Sequence, residues 1–331
     1  MGTPAISVAM SVYNGERFLP ESIESVLGQT FGDFEFLILD DGSRDSTAEI
    51  VHAYAAKDAR IRPIIRENRG LIASLNQLIA ESRAPVIARM DDDDISMPDR
   101  FARQIAFLES NPDHGVVGSW SQDIDTAGSP VSGVSRDHPV THEAMLASIA
   151  RGEQLICHPS AMFRKAVVDS VGGYHAAFRH CEDLDLWLRL ASVTNLANIP
   201  ERLVRYRRSP DQVSCRHATE QQIGTVVAHL AYAERKAGRP DPTEHLTELP
   251  PIDELDSLFG QPGLSTQVRE RVAMALRYSP DALRDHGFDL IMRHLREGGS
   301  HEGMWRTVAR LVRFGEPLRA MRLAGTLVSA R

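Results

Sequence analysis

The sequence predicts an α/β fold with a mostly parallel sheet, because strand and helix patterns alternate from Ile6 to Trp120. Short runs rich in β-branched and other apolar residues are typical of buried strands, and segments with apolar residues at helical spacing separate them. Polar clusters follow several of these runs directly. Since sites in such sheets lie beyond the carboxyl ends of the strands, we expect the clusters to converge at one edge.

The elements of this part follow one another in a regular order. Five strands are predicted, at ISVAMSV, FEFLIL, IRPIIR, PVIARM and GVVGSW. Four helices are predicted between them, over residues 19–27, 47–54, 70–79 and 98–108. Pro63 cannot donate a ladder hydrogen bond, so we expect the third strand at an edge or a bulge. Pro98 suits the first turn of a helix.

The remainder of the chain is mixed at first and then helical. Between Ser121 and Ser214 we predict a strand leading into a helix at CHPSAMFRK, a helix at EDLDLWLRLAS and a strand at RLVRYRR. Helical patterns dominate from Arg216 onward, and the Pro-rich stretch RPDPTEHLTELPPIDEL is predicted to be a loop. We therefore expect a mainly α-helical C-terminal region.

The composition excludes several classes of protein. The 331 residues are 42% hydrophobic and 25% charged, which suits a sizeable core in one large domain or two smaller ones. A net charge of −8 gives the chain as a whole no electrostatic affinity for nucleic acid. Three cysteines without CxxC spacing fit neither a disulfide framework nor a zinc site. We expect a cytoplasmic location, because the first residues lack signal-peptide features and no apolar run approaches the ~20 residues that span a bilayer.

Four consecutive aspartates, Asp91–Asp94, follow the predicted strand PVIARM. Carboxylates at alternate positions of an extended turn can face one hard cation together, and Mg²⁺ in proteins usually shares carboxylates with substrate phosphates. We therefore predict a metal–diphosphate site here. The alternative is an acidic start to the following helix, with Asp94 or Ser96 as its N-cap.

A second acidic pair lies in the segment LDDGSRDST. Its later part is predicted to be a turn at Gly42 followed by a helix that Asp45 or Ser46 caps. That would leave Asp40 and Asp41 free to accept hydrogen bonds from a base N–H or a ribose hydroxyl.

These motifs, together with SVYNGERFLPESIESVLGQTF, NRGLIASLNQLI, HPSAMFRK and CEDLDLWLRL, resemble glycosyltransferase family 2 of the bacterial surface-polysaccharide type. The resemblance runs from Ile6 to Ser214 and implies the nucleotide-diphospho-sugar transferase (GT-A) fold. It implies a GT-A catalytic domain over residues 1–215 and a helical region over 216–331. The nucleotide-sugar-binding part would end near residue 120, and the acceptor part would follow it.

The resemblance also implies roles for individual residues. The nucleotide-sugar-binding residues would be Ser11, Tyr13, Asp41, Arg69, Asp91, Asp92 and His158. Tyr13 would lie against the base and Asp41 would bind it. Asp91 and Asp93 would be the ends of a DxD motif that holds Mn²⁺ or Mg²⁺, with Asp93 as the direct ligand. The catalytic pair would be Asp183 and Glu182, with Asp183 as the general base.

Chemistry supports a carboxylate base independently of the resemblance. An acceptor hydroxyl must lose its proton as it attacks the anomeric carbon, and a carboxylate within hydrogen-bond reach can accept it. One base and one leaving group suffice for inversion, whereas retention by double displacement needs a carboxylate nucleophile as well. The alternative is that Glu182 and Asp183 only favour the dipole of a helix that begins there. Structural alternatives also stand for His158, as a buried histidine, and for Trp187, as a core residue rather than a sugar platform.

The segment RYRRSPDQVS has two interpretations. Its arginines, Arg205, Arg207 and Arg208, would either close over a diphosphate or lie in solvent on an edge strand. The chain departs from the family pattern here, since Ser209 stands where relatives often carry a histidine. The arginines or His217 are the candidates to replace that side chain.

The last 29 residues, GMWRTVARLVRFGEPLRAMRLAGTLVSAR, mix arginines with apolar residues. This pattern is typical of a basic amphipathic helix at a membrane surface. The alternative is a helix that packs on the catalytic domain or on the second subunit of a homodimer. The expected partners are therefore a nucleotide-diphosphate sugar donor, a glycan or lipid-linked acceptor, and the inner face of the cytoplasmic membrane.

Together these observations predict an inverting, metal-assisted glycosyltransferase of cell-envelope polysaccharide biosynthesis, with a UDP-sugar as the favoured donor. One alternative is a sugar nucleotidyltransferase, which the first loop, SVYNGERF, disfavours because it holds a single glycine. The other is a non-catalytic module that binds nucleotide sugars.

Overall fold

A computed structural model describes residues 2–131, 137–209 and 217–329 of the chain. These residues form two compact units. The first unit comprises Met1–His175 and Glu182–Ser209, and the second comprises Ala176–Cys181 and Pro210–Arg331. None of the helices within the described ranges is both long and apolar enough to cross a bilayer.

The first unit is built on one eight-stranded sheet with the order β3-β2-β1-β4-β7-β6-β8-β5. The strands are β1 Ile6–Val12, β2 Phe34–Asp40, β3 Ile61–Ile65, β4 Val86–Asp91, β5 Ile95–Ser96, β6 His114–Ile124, β7 Met162–Arg164 and β8 Asn195–Arg207. The pairs β1–β2, β1–β4, β2–β3 and β6–β8 are parallel, and β7 joins the two halves by antiparallel pairing with β4 and β6. The α/β prediction is confirmed, and β3, with Pro63, is an edge strand as expected.

Helices cover both faces of this sheet. They are α1 Leu19–Leu27, α2 Thr47–Ala55, α3 Leu71–Glu81, α4 Arg100–Ser110, α5 His142–Arg151, α6 Lys165–Ser170 and α7 Glu182–Leu190. Strands β1 and β2 are apolar along almost their whole length because both of their faces are buried. One face of β1 joins the core with Leu19, Ile23 and Val26 of α1, and α3 also contacts the strand.

The second unit is helical. Its described helices are α8 Ala218–Lys236, α9 Leu255–Phe259, α10 Leu264–Leu276, α11 Pro280–Arg284, α12 His286–Arg296, α13 Met304–Arg313 and α14 Pro317–Ser329. The prediction of a single amphipathic helix at the C-terminal end is wrong, because the chain there forms two helices. Gly315 adopts a left-handed φ of 79°, and Pro317 opens the next helix.

Gln29 ties α1 to the chain that follows the aspartate run. Its side chain is 7% exposed, and its amide nitrogen donates to Ser96 Oγ at 3.1 Å and to the Met97 carbonyl at 2.8 Å. Its Oε1 accepts from the Phe101 amide at 3.0 Å. One buried amide therefore fixes both β5 and the first turn of α4 relative to α1.

Replacing Gln29 with alanine should lower the free energy of unfolding by about 1–3 kcal/mol, because buried backbone groups lose their partners. Urea unfolding followed by circular dichroism measures the change. Gln77→Ala is the matched control, since the Gln77 side chain is only partly buried and bonds to Glu81 within α3. Equal stability losses in the two variants would contradict the assignment.

Candidate functional site

The parallel register of three strands brings their carboxyl ends to one edge of the sheet. Ser11 of β1 lies opposite Asp91 of β4, and Val12 lies opposite Asp40 of β2. The polar residues that follow these strands therefore share one edge, as the alternating pattern predicted.

The loops after β1 and β2 are locked together by reciprocal hydrogen bonds. The Asn14 amide donates to Ser43 Oγ at 2.8 Å, and Asn14 Oδ1 accepts from the Arg44 amide at 2.9 Å. The Gly15 amide donates to Thr47 Oγ1 at 2.9 Å. Asn14 holds a left-handed φ of 54°, which asparagine tolerates better than most residues. Tyr13, which precedes Asn14, is half exposed.

Asp41 is buried and holds the loop before α3. Its carboxylate accepts from the amides of Arg69 at 3.0 Å and Gly70 at 2.8 Å, and from the Arg66 guanidinium at 2.9 Å. Asp40 Oδ1 accepts from the Ser43 amide at 2.9 Å. The expectation that both acids are free is therefore wrong. The Arg69 side chain is exposed.

Three of the four aspartates of the run converge. Carboxylate oxygens of Asp91, Asp93 and Asp94 lie within 4.8 Å of one another. Asp92 lies elsewhere, against the loop after β1, where a Cβ on Gly15 would overlap its carboxylate. The alternate spacing allowed either Asp91 with Asp93 or Asp92 with Asp94 to face a cation, and the family resemblance implied Asp91 and Asp93. The structure adds the Asp94 side chain to the pair that the resemblance implied.

Burial and mutual repulsion disfavour the charged form of the carboxylates in this run. Burial, and then the charge of Asp91, raises the pKa of Asp93 to about 6. Burial and the neighbouring acids raise the pKa values of Asp92 and Asp94 well above the usual carboxyl range. Asp94 Oδ1 accepts from the Arg207 amide at 2.7 Å, while its buried Oδ2 has no hydrogen-bond partner among the residues that the structure describes. Such an oxygen-only set with an orphaned oxygen fits a hard divalent cation.

Two buried arginines anchor the acidic run. Arg89 of β4 forms an ion pair with Asp91. Arg207, at the end of β8, donates from Nε to the Asp93 carbonyl at 2.7 Å and from its terminal nitrogen to Glu21 at 2.5 Å. Its guanidinium also lies over the Phe18 ring, 4.4 Å from the centroid.

The alternative of solvent-exposed charges is therefore wrong for Arg207. Arg205 is exposed and fits that alternative. Arg208 pairs with Asp123 at 2.7 Å. His217 stacks on His180, with ring centroids 4.0 Å apart, and both belong to the second unit.

The charges of the aspartate run influence the pKa values of Glu182 and Asp183, the two acids at the start of α7. Burial and then the Asp183 charge raise the pKa of Glu182 to about 7, and burial raises the pKa of Asp183. The positive charge of Arg89 opposes both shifts. Arg89 therefore lies in the electrostatic environment of both acidic groups, which are about 90 residues apart in sequence. Asp183 Oδ1 also accepts from the Leu184 amide at 2.7 Å.

His158 is buried beside these groups. Its Nε2 shares a hydrogen bond of 2.8 Å with the Tyr174 hydroxyl, and its ring meets the Trp187 ring edge-on. Burial, and then the charge of Arg89, holds the pKa of His158 well below its usual value. Trp187 is 1% exposed, so it is a core residue and not a sugar platform. Tyr174 follows Gly172 and Gly173 and lies outside all the motifs described for the sequence.

Comparison with known proteins now identifies the family. Residues 7–172 match the family described as Glycosyl transferase family 2. EpsE of Bacillus subtilis (strain 168) is 37% identical over 233 residues, which cover 69% of this chain and 82% of EpsE. The amylovoran biosynthesis glycosyltransferase AmsE of Erwinia amylovora is 32% identical, over 63% of this chain and 79% of AmsE. The O-antigen biosynthesis glycosyltransferase WbnJ of Escherichia coli is 31% identical, over 61% and 79%.

Solved structures share the architecture at lower identity. S. aureus TarS 1–349 in complex with UDP matches with a TM-score of 0.55 and 17% identity, over 90% of this chain and 93% of that one. The mannosyltransferase PcManGT of Pyrobaculum calidifontis, in complex with GDP-Man and Mn²⁺, matches with a TM-score of 0.55 and 14% identity, over 98% and 87%. These likenesses support the fold alone, which is the GT-A fold. With the family match and the sequence relatives beside it, the chain belongs to glycosyl transferase family 2 and is a glycosyltransferase.

Proposed function

We propose that this chain is an inverting, metal-assisted glycosyltransferase. It would move a sugar from a nucleoside diphosphate sugar to a hydroxyl of a glycan or lipid-linked acceptor. The observation that carries the proposal is the cluster of Asp91, Asp93 and Asp94, with Asp91 in an ion pair with Arg89. The charge of Arg89 also lowers the pKa values of a second acidic group, Glu182 and Asp183, against the effect of burial. One group suits a leaving diphosphate with its cation, and the other suits an acceptor hydroxyl.

The cluster Asp91, Asp93 and Asp94 would hold Mn²⁺ or Mg²⁺. The ion, when bound, would neutralise charge on the leaving diphosphate oxygen. Its fit rests on the all-carboxylate donor set and on the orphaned Asp94 Oδ2. Arg207 keeps the run in place by holding the Asp93 carbonyl and the Asp94 carboxylate.

The nucleotide would lie on the edge formed by the loops after β1, β2 and β4. Tyr13, which is half exposed, would offer a ring face to the base, and Ser11 and Arg69 would flank the base. Asp41 shapes this pocket through the two amides and the Arg66 guanidinium that it binds, and one lone pair of its Oδ2 would be left for the base. Asp92 would lie beside the ribose. A UDP-sugar is the favoured donor, and a TarS structure in complex with UDP-GlcNAc is among the solved likenesses.

Asp183 is the better general base of its pair. Glu182 is buried, and with a pKa of about 7 it carries a proton for much of the time near neutrality. Asp183 is more exposed. Because it would remove the acceptor proton in a single displacement, the anomeric configuration would invert. His158, uncharged and bonded to Tyr174, would line the sugar side of the pocket.

The assignment of residues 1–215 as the catalytic domain is part of the proposal. So are a cytoplasmic location, peripheral contact with the membrane and a role in cell-envelope polysaccharide assembly. The names of WbnJ and AmsE, which refer to O-antigen and amylovoran biosynthesis, support that role.

Asp93→Asn should abolish the Mn²⁺-dependent rise in melting temperature that UDP produces, and turnover should fall by about 100-fold or more. Without metal the variant should be at least as stable as the wild type, since one repelling carboxylate is gone. Asp99→Asn is the matched control, because Asp99 is exposed and lies outside the cluster. A metal-dependent shift that survives in Asp93→Asn would exclude the cation site.

Asp183→Asn should keep donor binding and lose transfer by about 10²- to 10⁴-fold, which is the usual contribution of a general base. Glu182→Gln should have a smaller effect on transfer at neutral pH. Isothermal titration with UDP and a nucleoside diphosphate release assay measure the two properties. Unchanged turnover in Asp183→Asn would favour a non-catalytic binding module, and release of pyrophosphate instead would favour a nucleotidyltransferase.

Because of His158, the free energy of unfolding should fall in mild acid. The unfolded chain binds a proton at this residue near pH 6.5, whereas the folded chain does not, so stability falls as pH drops below that value. The slope attributable to it is at most about 1.4 kcal/mol per pH unit. His158→Gln should flatten the stability profile between pH 6.5 and 5, and His52→Gln, at an exposed position, should not. Identical profiles for the wild type and His158→Gln would show that the histidine takes up its proton in the fold.

A further inference from the structure

We propose that helices α13 and α14, with the cavity beside Tyr278, form a docking surface for an anionic phospholipid bilayer. This deepens the membrane contact included in the proposed function. Its test reads lipid binding separately from sugar transfer, so that each can fail without the other. All the residues involved belong to the second unit.

Each of the two helices has an apolar face that nothing in the described residues covers. On α13, Trp305 and Val312 are 48% and 59% exposed, and they lie two turns apart on one side. On α14 the exposed set has spacings of three and seven residues, and it consists of Leu318, Met321 and Val328 at 71%, 62% and 63%.

A different face of each helix is packed, through Met304 and Leu311 on α13 and through Ala320, Leu323 and Leu327 on α14. The helices also contact each other. Scattered exposed apolar residues are ordinary, but two neighbouring stripes at helical spacing mark a surface for a partner.

The charge on these helices identifies the partner. Between Met304 and Ser329 there is one acidic residue, Glu316, against five arginines, Arg306, Arg310, Arg313, Arg319 and Arg322. The whole chain, by contrast, carries a net charge of −8. An anionic bilayer offers acyl chains to the apolar stripes and negative charge to the arginines, and each basic residue near such a surface contributes about 1 kcal/mol. A second copy of the same surface would bring like charges together.

A cavity of about 320 Å³ adds a place for one phosphate group. It is lined by Arg277, Tyr278, His301, Glu302, Gly303, Trp305 and Arg306. The guanidinium carbons of Arg277 and Arg310 lie 4.9 Å and 4.2 Å from the centre of the Tyr278 ring. Hydrogen bonds from Arg277, and then from Arg306, lower the pKa of Tyr278.

In the described part of the chain, Arg277, Arg306 and Arg310 have no carboxylate within 4.0 Å of their guanidinium groups, and the buried Nε of Arg277 has no hydrogen-bond partner. Arg269 and Arg293 of the same unit pair with Asp253 and Glu297. Guanidinium groups without counterions suit a phosphate oxygen. Trp305 belongs both to the cavity and to the α13 stripe, so the phosphate seat and the apolar surface are continuous.

The experiment is vesicle flotation of the full chain with phosphatidylcholine alone and with an equimolar mixture of phosphatidylcholine and phosphatidylglycerol. We expect binding to the mixed vesicles only, weakening as salt is raised. Arg306→Gln with Arg310→Gln should weaken it by about tenfold or more. The matched control is Arg271→Gln with Arg296→Gln, which removes the same charge from exposed positions in the same unit and should not weaken it.

The apolar contribution is tested by Leu318→Ser with Met321→Ser, against Val193→Ser as an exposed apolar control in the first unit. The pair should lose vesicle binding, while its melting temperature and its UDP- and Mn²⁺-dependent shift stay those of the wild type. Equal binding to both kinds of vesicle, or no binding, would overturn the proposal. So would a dimer in sedimentation velocity that the serine pair disperses without any vesicle binding.

Discussion

The repulsion among the carboxylates of Asp91–Asp94, and the buried arginines that offset it, is the constraint on which the site depends. Burial, and then the charges of neighbouring aspartates in the run, raises the pKa values of Asp92, Asp93 and Asp94. Arg89 and Arg207 supply positive charge from two strands, β4 and β8. The remaining deficit fits a divalent cation, because removing three carboxylates from water is tolerable when a hard charge faces them. The same Arg89 charge reaches Glu182, Asp183 and His158, so one guanidinium influences both sides of the proposed reaction.

The rest of the first unit can be understood as support for that turn. Ser22 Oγ donates to the Asp91 carbonyl at 2.8 Å, and Gln29 holds the chain just beyond the run. Gly15 is required because the Asp92 carboxylate occupies the space where a side chain would begin. The acids are thus fixed by groups that are themselves buried, and such preorganisation keeps charged groups from relaxing away from one another.

Local patterns in the sequence predicted the frame of this site and missed its supports. An apolar run that ends in acids identifies a buried strand with a polar end, so the places of Asp91 and Asp93 were predictable. The role of Asp94 was not, because its partner Arg207 lies 113 residues away and no local spacing links them. The hydrogen bonds of Asp41 to the Arg69 and Gly70 amides were hidden for the same reason. At the C-terminal end, Gly315 and Pro317 together signalled a break, yet the continuous amphipathic pattern on both sides concealed it.

The hydrogen bonds that join the loops after β1 and β2 do not involve the side chain of Tyr13. Asn14, Ser43 and Thr47 carry the bonds that hold the two loops together, while Tyr13 projects half exposed between strand and loop. Under the proposed function, substitutions at Tyr13 should change donor binding without disturbing the backbone of the two loops. Fold stability and donor preference would then depend on different residues. Donor preference could therefore change between related enzymes while the fold stays the same.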